Sequence, residues 1–173
     1  MVTRFRVIPE QSQIWIEARS SLHPIHGEGT GIQGEAELEV TDGKIDLTVP
    51  PKARIELPVE RLRSGNALQD MEMRRRIEAQ KYPTIIGELV KATALSQANR
   101  YRLEGDLTFH GITRRLEADV MANVDKEGVL LVEGEYVLDV RGFAVTPPRI
   151  LGFQVYPEIK VRFRVVAERR KDA

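Results

Sequence analysis

The sequence predicts an all-β fold, an antiparallel barrel or sandwich of about eight to ten strands with one α-helix between strands. Two observations carry this. Apolar and polar residues alternate with a period of two in one stretch after another, as in antiparallel sheet with one face packed and one solvated. In addition, a single segment, at 67–80, carries both helix-start and helix-stop signals. The clearest alternation runs from Arg100 to Val124. There Tyr101, Leu103, Gly105, Leu107 and Phe109 share one face, Leu116, Ala118, Val120, Ala122 and Val124 share another, and His110-Gly111-Ile112 turns the chain between them.

Taken in order, Thr3 to Ile8 and Ser12 to Arg19 read as strands broken at Pro9. In the second, Ile14, Ile16 and Ala18 oppose Trp15, Glu17 and Arg19, which puts Trp15 on the charged face. It then sits at a barrel mouth or beneath something outside the sheet. Ser20 to Gly34 holds Gly27, Gly29, Gly31 and Gly34, a pattern of bulges, bends or close approach of another group. Glu35 to Val40 alternates cleanly, and Thr41-Asp42-Gly43 is a hairpin turn. Ile45, Leu47 and Val49 form the next inward set, and Ala53, Ile55 and Leu57 resume it after Pro50-Pro51.

The helix is expected over Ala67 to Gln80. Asn66 with Gln69 three residues on fits an N-cap and capping box, Asp70 and Glu72 suit the early turns, and Tyr82-Pro83 forces the end. Its apolar positions spread over a broad arc, so it plugs or flanks a sheet. Strands return at Thr84 to Ala94 and, after the central hairpin, at Gly128 to Val140. Arg141 to Gly152 is a loop, and the last strand runs from Glu158 to Glu168 before a charged tail.

Composition narrows the function. Lys plus Arg and Asp plus Glu both number 26, so no charge excess advertises nucleic acid or an anionic membrane surface. The absence of cysteine excludes disulfides, thiol nucleophiles and Cys–zinc sites. At 173 residues the chain is expected to form one domain. No segment reaches transmembrane length and the N-terminus shows no signal-peptide run, so the expected location is the cytoplasm. No nucleophile–base pair or phosphate-binding glycine loop is visible, so no catalytic residue and no cofactor is assigned.

Three stretches form a pattern when taken together. The first joins Ser64-Gly65-Asn66 and Asp70-Met71-Glu72-Met73-Arg74 to Tyr82-Pro83-Thr84-Ile85. The second is Gly105-Asp106-Leu107-Thr108-Phe109-His110-Gly111-Ile112-Thr113, and the third is Arg141-Gly142-Phe143. In order and spacing they resemble the YceI family of lipocalin-like, polyisoprenoid-binding barrels. Gln69 stands where the family usually has Arg, and Gly87 where Phe is common. The resemblance implies a lipocalin-like barrel of about eight strands whose apolar lumen holds an isoprenoid or fatty-acyl-type small molecule.

Candidate ligand contacts are Trp15, Phe109 and Phe153 as aromatics, with Leu107 in the hairpin motif and Tyr82 at the strand start. His23, His26 and His110 are candidates as polar groups of the cavity, and Arg74 as a partner for a head group. Each has a plainer reading: core aromatics, turn histidines, and an Arg74 that pairs with Asp70 at the i,i+4 spacing. Two other functions remain. In one the three histidines converge on a metal to make an enzyme acting on a small amphiphile. In the other, side chains fill the barrel and it serves as an interaction module, homodimers included, meeting its partner through an exposed edge or a Trp15 patch.

Overall fold

A computed structural model describes residues 2–147, 149–150 and 152–171. Its strands are β1 (Val2–Val7), β2 (Gln13–Ser20), β3 (Pro24–Thr30), β4 (Gln33–Thr41), β5 (Lys44–Asp46), β6 (Lys52–Pro58) and β7 (Leu62–Arg63). Helix α1 (Ala67–Arg76) follows. Then come β8 (Thr84–Ala94), β9 (Arg100–Phe109), β10 (Ile112–Val124), β11 (Leu130–Asp139), β12 (Arg149–Ile150) and β13 (Phe153–Arg169).

Eight of them close an antiparallel barrel in the order β1-β4-β6-β8-β9-β10-β11-β13, with β13 returning to β1. Closure leaves no open edge in the ring. The 17-residue β13 is long enough to serve two neighbours along one edge. Val155 to Arg164 pair with β2, and Ala167 to Arg169 pair with β1. The chain breaks between β1 and β2 at Pro9–Gln11, where the ladder would lose its partners. Buried Ser12 supplies them: its hydroxyl donates to the Ile8 carbonyl at 2.9 Å and accepts from the Val166 amide at 3.0 Å. From β2 the sheet continues through β3 to β7.

The alternation expected of the central hairpin is its actual register, with Phe109 opposite Ile112 and Tyr101 opposite Val120. His110 and Gly111 form the two-residue turn with φ of 53° and 73°, the twist that matches a right-handed hairpin. Gly111 is required twice over, because a Cβ there would lie 2.5 Å from the Tyr82 ring. Outside the barrel the charged residues pair across strands: Arg102 with Asp119 at 2.9 Å, Arg115 with Asp106 at 2.7 Å, Arg164 with Glu133 at 3.4 Å.

Three expectations are corrected and one, the glycine-rich stretch, is narrowed to the close approach among its readings. The helix stops at Arg76, not Gln80. Glu78 takes the left-handed conformation (φ 50°) while its amide bonds the Arg75 carbonyl and the Ala79 amide bonds the Arg74 carbonyl, which is a Schellman ending. The chain therefore leaves the helix well before Tyr82-Pro83. Leu47 and Val49 do not extend β5, because Asp46 Oδ1 accepts from both the Thr48 amide and its hydroxyl and turns the chain outward. The glycine-rich stretch contains a regular strand, β3, and its glycines serve close approach. A Cβ on Gly29 would lie 2.9 Å from both Ile14 and Leu62. The last strand begins five residues early, at Phe153, with its register shifted between Val155 and Ile159 around Pro157, which has no amide to donate.

Candidate ligand-binding site

The inward faces fill the barrel unevenly. Phe5, Val7, Leu38, Leu130 and Ala167 pack into one cluster in which Phe5 is 0% exposed. A second cluster gathers Val59, Ile77, Leu138, Phe143 and Val161 from the elements around the end of α1. Residues of both, Ile32 and Leu57 from the first, Ile77 and Leu138 from the second, wall a cavity of about 260 Å³. The space exists because small residues occupy inward positions: Ala18 on β2, Gly27 on β3 and Gly87 on β8 all border it. A Cβ on Gly27 would reach the Arg63 carbonyl at 3.4 Å, so the strand itself comes close to β7 there.

The wall is almost wholly apolar apart from a polar rim of Glu28, Arg63, Ser64, Gln69 and Asp70, gathered where β3 pairs with β7 and Ser64 meets Asp70. Asn66 caps α1, accepting from the amides of Leu68 and Gln69 at 3.0 and 3.1 Å, which points the first turn of the helix at this rim. Asp70 is buried and its Oδ1 accepts from the Ser64 amide and hydroxyl at 2.8 and 2.7 Å. That occupies the carboxylate expected for Arg74. The Arg74 Nε is sealed in protein without a partner, and the helical ion pairs are instead those of Glu72 with Arg76 at 2.9 Å and with Arg75 at 3.2 Å.

Of the candidate contacts, Leu107, Phe109 and His26 border the cavity. His26 is nonetheless an exposed residue, paired with Glu17 on the outward parity of β2 and β3, whereas Ile16 with Gly27 and Ala18 with Ile25 are the inward pairs. Trp15 lies on the outer face, covered by the Arg162 guanidinium 4.8 Å above its ring. Phe153 is buried against the ring of His23 with centroids 5.2 Å apart, and His23 also bonds the Pro24 carbonyl. Tyr82 meets His110 edge-on, and His110 bridges Glu78 Oε2 at 2.7 Å and the Phe143 carbonyl at 2.8 Å. It ties the end of α1 to the 3-10 turn at Val140–Phe143. Neither Arg74, Tyr82, His110 nor Phe153 borders the cavity. His23 and His110 thus have separate partners, His26 lies on an exposed outward position, and among the described residues no group of His, Asp and Glu is placed to hold a metal ion.

Sequence reasoning passed over Ile16, Ala18, Met73 and Tyr136 as contacts, although all border the cavity. The signal was present for the strand residues, which belong to inward alternating sets. Tyr136 stands out chemically. It is opposite Val161, which is opposite Ile16, so it shares an inward row across three strands. Burial pushes its phenol up to about 12, because the apolar surroundings oppose the charged form.

The YceI-like domain model matches residues 5–167 of the chain. Among curated proteins no sequence matches. Solved structures do. BcnA of Burkholderia cenocepacia superposes with a TM-score of 0.76 at 16% identity, over 92% of this chain and 98% of its own. A polyisoprenoid-binding domain from Saccharophagus degradans, described as implicated in plant cell wall breakdown, gives 0.75 at 9% identity, over 96% and 98%. The YCEI protein of Campylobacter jejuni gives 0.65 at 14%, over 84% and 85%. At these identities the superpositions speak for the barrel, and the matched family model speaks for descent. With its closed antiparallel ring, single helix and apolar hollow, the chain belongs to the YceI-like domain family.

Proposed function

We propose that this protein binds an isoprenoid or other amphiphilic lipid by its apolar tail and serves as a carrier or sequestering protein, not an enzyme. The observation that carries the reading is the hollow of about 260 Å³ with apolar walls and a polar rim. An alkyl or isoprenyl segment placed there leaves water at a gain of ~0.8 kcal/mol per buried CH₂. At roughly 30 Å³ for each water-sized group, the enclosed part accepts ~9 carbon-sized units. A longer tail would project through the rim. A polar head would stay at the rim, where the Arg63 guanidinium and the Gln69 amide offer donors. Binding of a polyisoprenoid by the Saccharophagus degradans relative is in keeping with this.

The test is native mass spectrometry of protein purified without detergent, followed by solvent extraction, on wild type and on Ala18→Leu, which places a larger side chain in the hollow. A co-purified isoprenoid or acyl mass that is lost in the variant is the expected result. Equal ligand loading in both proteins would show that the lipid sits elsewhere.

A further inference from the structure

The inward row of the cavity wall contains a polar side chain that has no partner among the described residues. Tyr136 faces inward on β11 and borders the cavity, yet its hydroxyl makes no hydrogen bond among the described residues. The ring is held by Phe163, with centroids 6.1 Å apart, and by the second apolar cluster. The oxygen is not one of the sealed, unpaired atoms, a condition that among the described residues applies to the Arg74 Nε alone; it therefore borders open space. A phenol so placed is a neutral donor with no partner in the fold. Once a ligand fills the hollow and excludes water, leaving that donor unpaired costs about 1–3 kcal/mol, whereas phenylalanine would fill the same volume at no such cost.

Resting on the lipid-binding reading, we infer that Tyr136 is a specificity residue: its hydroxyl donates to an acceptor oxygen carried within the ligand's tail, so the cognate class is an oxygenated chain (a ketone, ester or ether), not a pure hydrocarbon. Selection works through the donor. A hydrocarbon tail fills the hollow and leaves the phenol unpaired; a tail with an oxygen at that depth satisfies it. The rim then reads the head, and Tyr136 reads the interior of the chain.

The experiment uses two volatile probes of matched shape, 2-octanone and 2-methyl-1-octene, in which a carbonyl oxygen is exchanged for a methylene. Their uptake by wild type and by Tyr136→Phe is measured by headspace partitioning. The expected result is roughly a three- to tenfold loss of 2-octanone affinity in Tyr136→Phe, the worth of one net hydrogen bond, with 2-methyl-1-octene unchanged. A second measurement needs no variant: carbonyl-labelled 2-octanone bound to wild type should show a ¹³C resonance shifted to higher frequency than the same ketone in alkane solvent. Loss of both probes to the same extent, or an unshifted carbonyl, overturns the role of Tyr136 while leaving lipid binding standing. Failure of wild type to take up either probe overturns the lipid-binding reading itself, and this inference with it.

Discussion

The two ends of the same barrel solve the packing problem in opposite ways. Around Phe5 the strands β1, β4, β11 and β13 present large inward side chains, and the ring is filled. Further along β2, β3 and β8 the inward positions hold Ala18, Gly27 and Gly87, and the ring is hollow. Strand geometry and alternation are the same in both. The difference lies in the volume placed at facing positions, so one end supplies stability and the other supplies room. This arrangement lets a single sheet hold its shape while leaving a cavity that packing alone would close.

That division can be broken or sharpened by mutation. The largest effect is expected from Phe5→Ala, which empties a fully packed site and should cost ~3–5 kcal/mol in urea unfolding. Ile16→Ala, on the wall of the existing hollow, should fall near ~2 kcal/mol, the low end for such truncations. Equal losses would mean that the two ends are packed alike.

Alkali should act on the hollow end. The folded Tyr136 phenol ionises at about 12, above its ordinary 10.0, so its contribution is fully present below pH 10 and is lost as pH rises toward 12. The loss amounts to as much as ~3 kcal/mol at 1.36 kcal/mol per pH unit. Tyr136→Phe should flatten this part of the stability curve. A slope would remain from Tyr101, whose phenol burial also raises. An unchanged curve would place the alkaline sensitivity entirely elsewhere.

Matched additions come next. Ala167→Leu, at a position 1% exposed in the filled end, should cost ~1–3 kcal/mol by overpacking. Ala18→Leu should change the unfolding midpoint little and instead reduce ligand loading. The smallest effect belongs outside the barrel. The Arg102 guanidinium hydrogen-bonds Asp119 and holds its carboxyl below the usual range. The stabilisation this gives is present above the ordinary carboxylate value of 3.8 and disappears as pH falls through the lowered one. Arg102→Ala should therefore leave the neutral melting curve nearly unchanged and show itself only on the acid limb, less so in high salt.

What the sequence disclosed and what it hid follow from the range of the interactions. The β9–β10 register was readable because alternation and the His110-Gly111 turn are local. The N-terminus of α1 was readable because Asn66 caps its own helix. The helix end was not, since a glutamate gives no sign that it will take the left-handed position where glycine is usual. Glu78 is held there with its carboxylate bonded to His110, a partner 32 positions away. The hollow was hidden for the same reason. Ala18, Gly27 and Gly87 are unremarkable one at a time, and they define a cavity only once β2, β3 and β8 are brought around one space. Trp15 and Arg74, chosen for their residue type, lie away from that space, while Tyr136, passed over within the Gly128 to Val140 strand, lies on it.

The hollow also has a mechanical consequence. A cavity of about 260 Å³ corresponds to ~160 mL per mole, and whatever part of it is loosely filled adds to the ~20–100 mL by which unfolding commonly shrinks a protein solution. Hydrostatic pressure favours whichever state occupies less volume, so the unliganded barrel should yield to compression earlier than a filled barrel of its size. A lipid seated in the hollow removes that volume difference. Occupancy would then be legible as hardness: the empty protein compressible, the loaded one stiff.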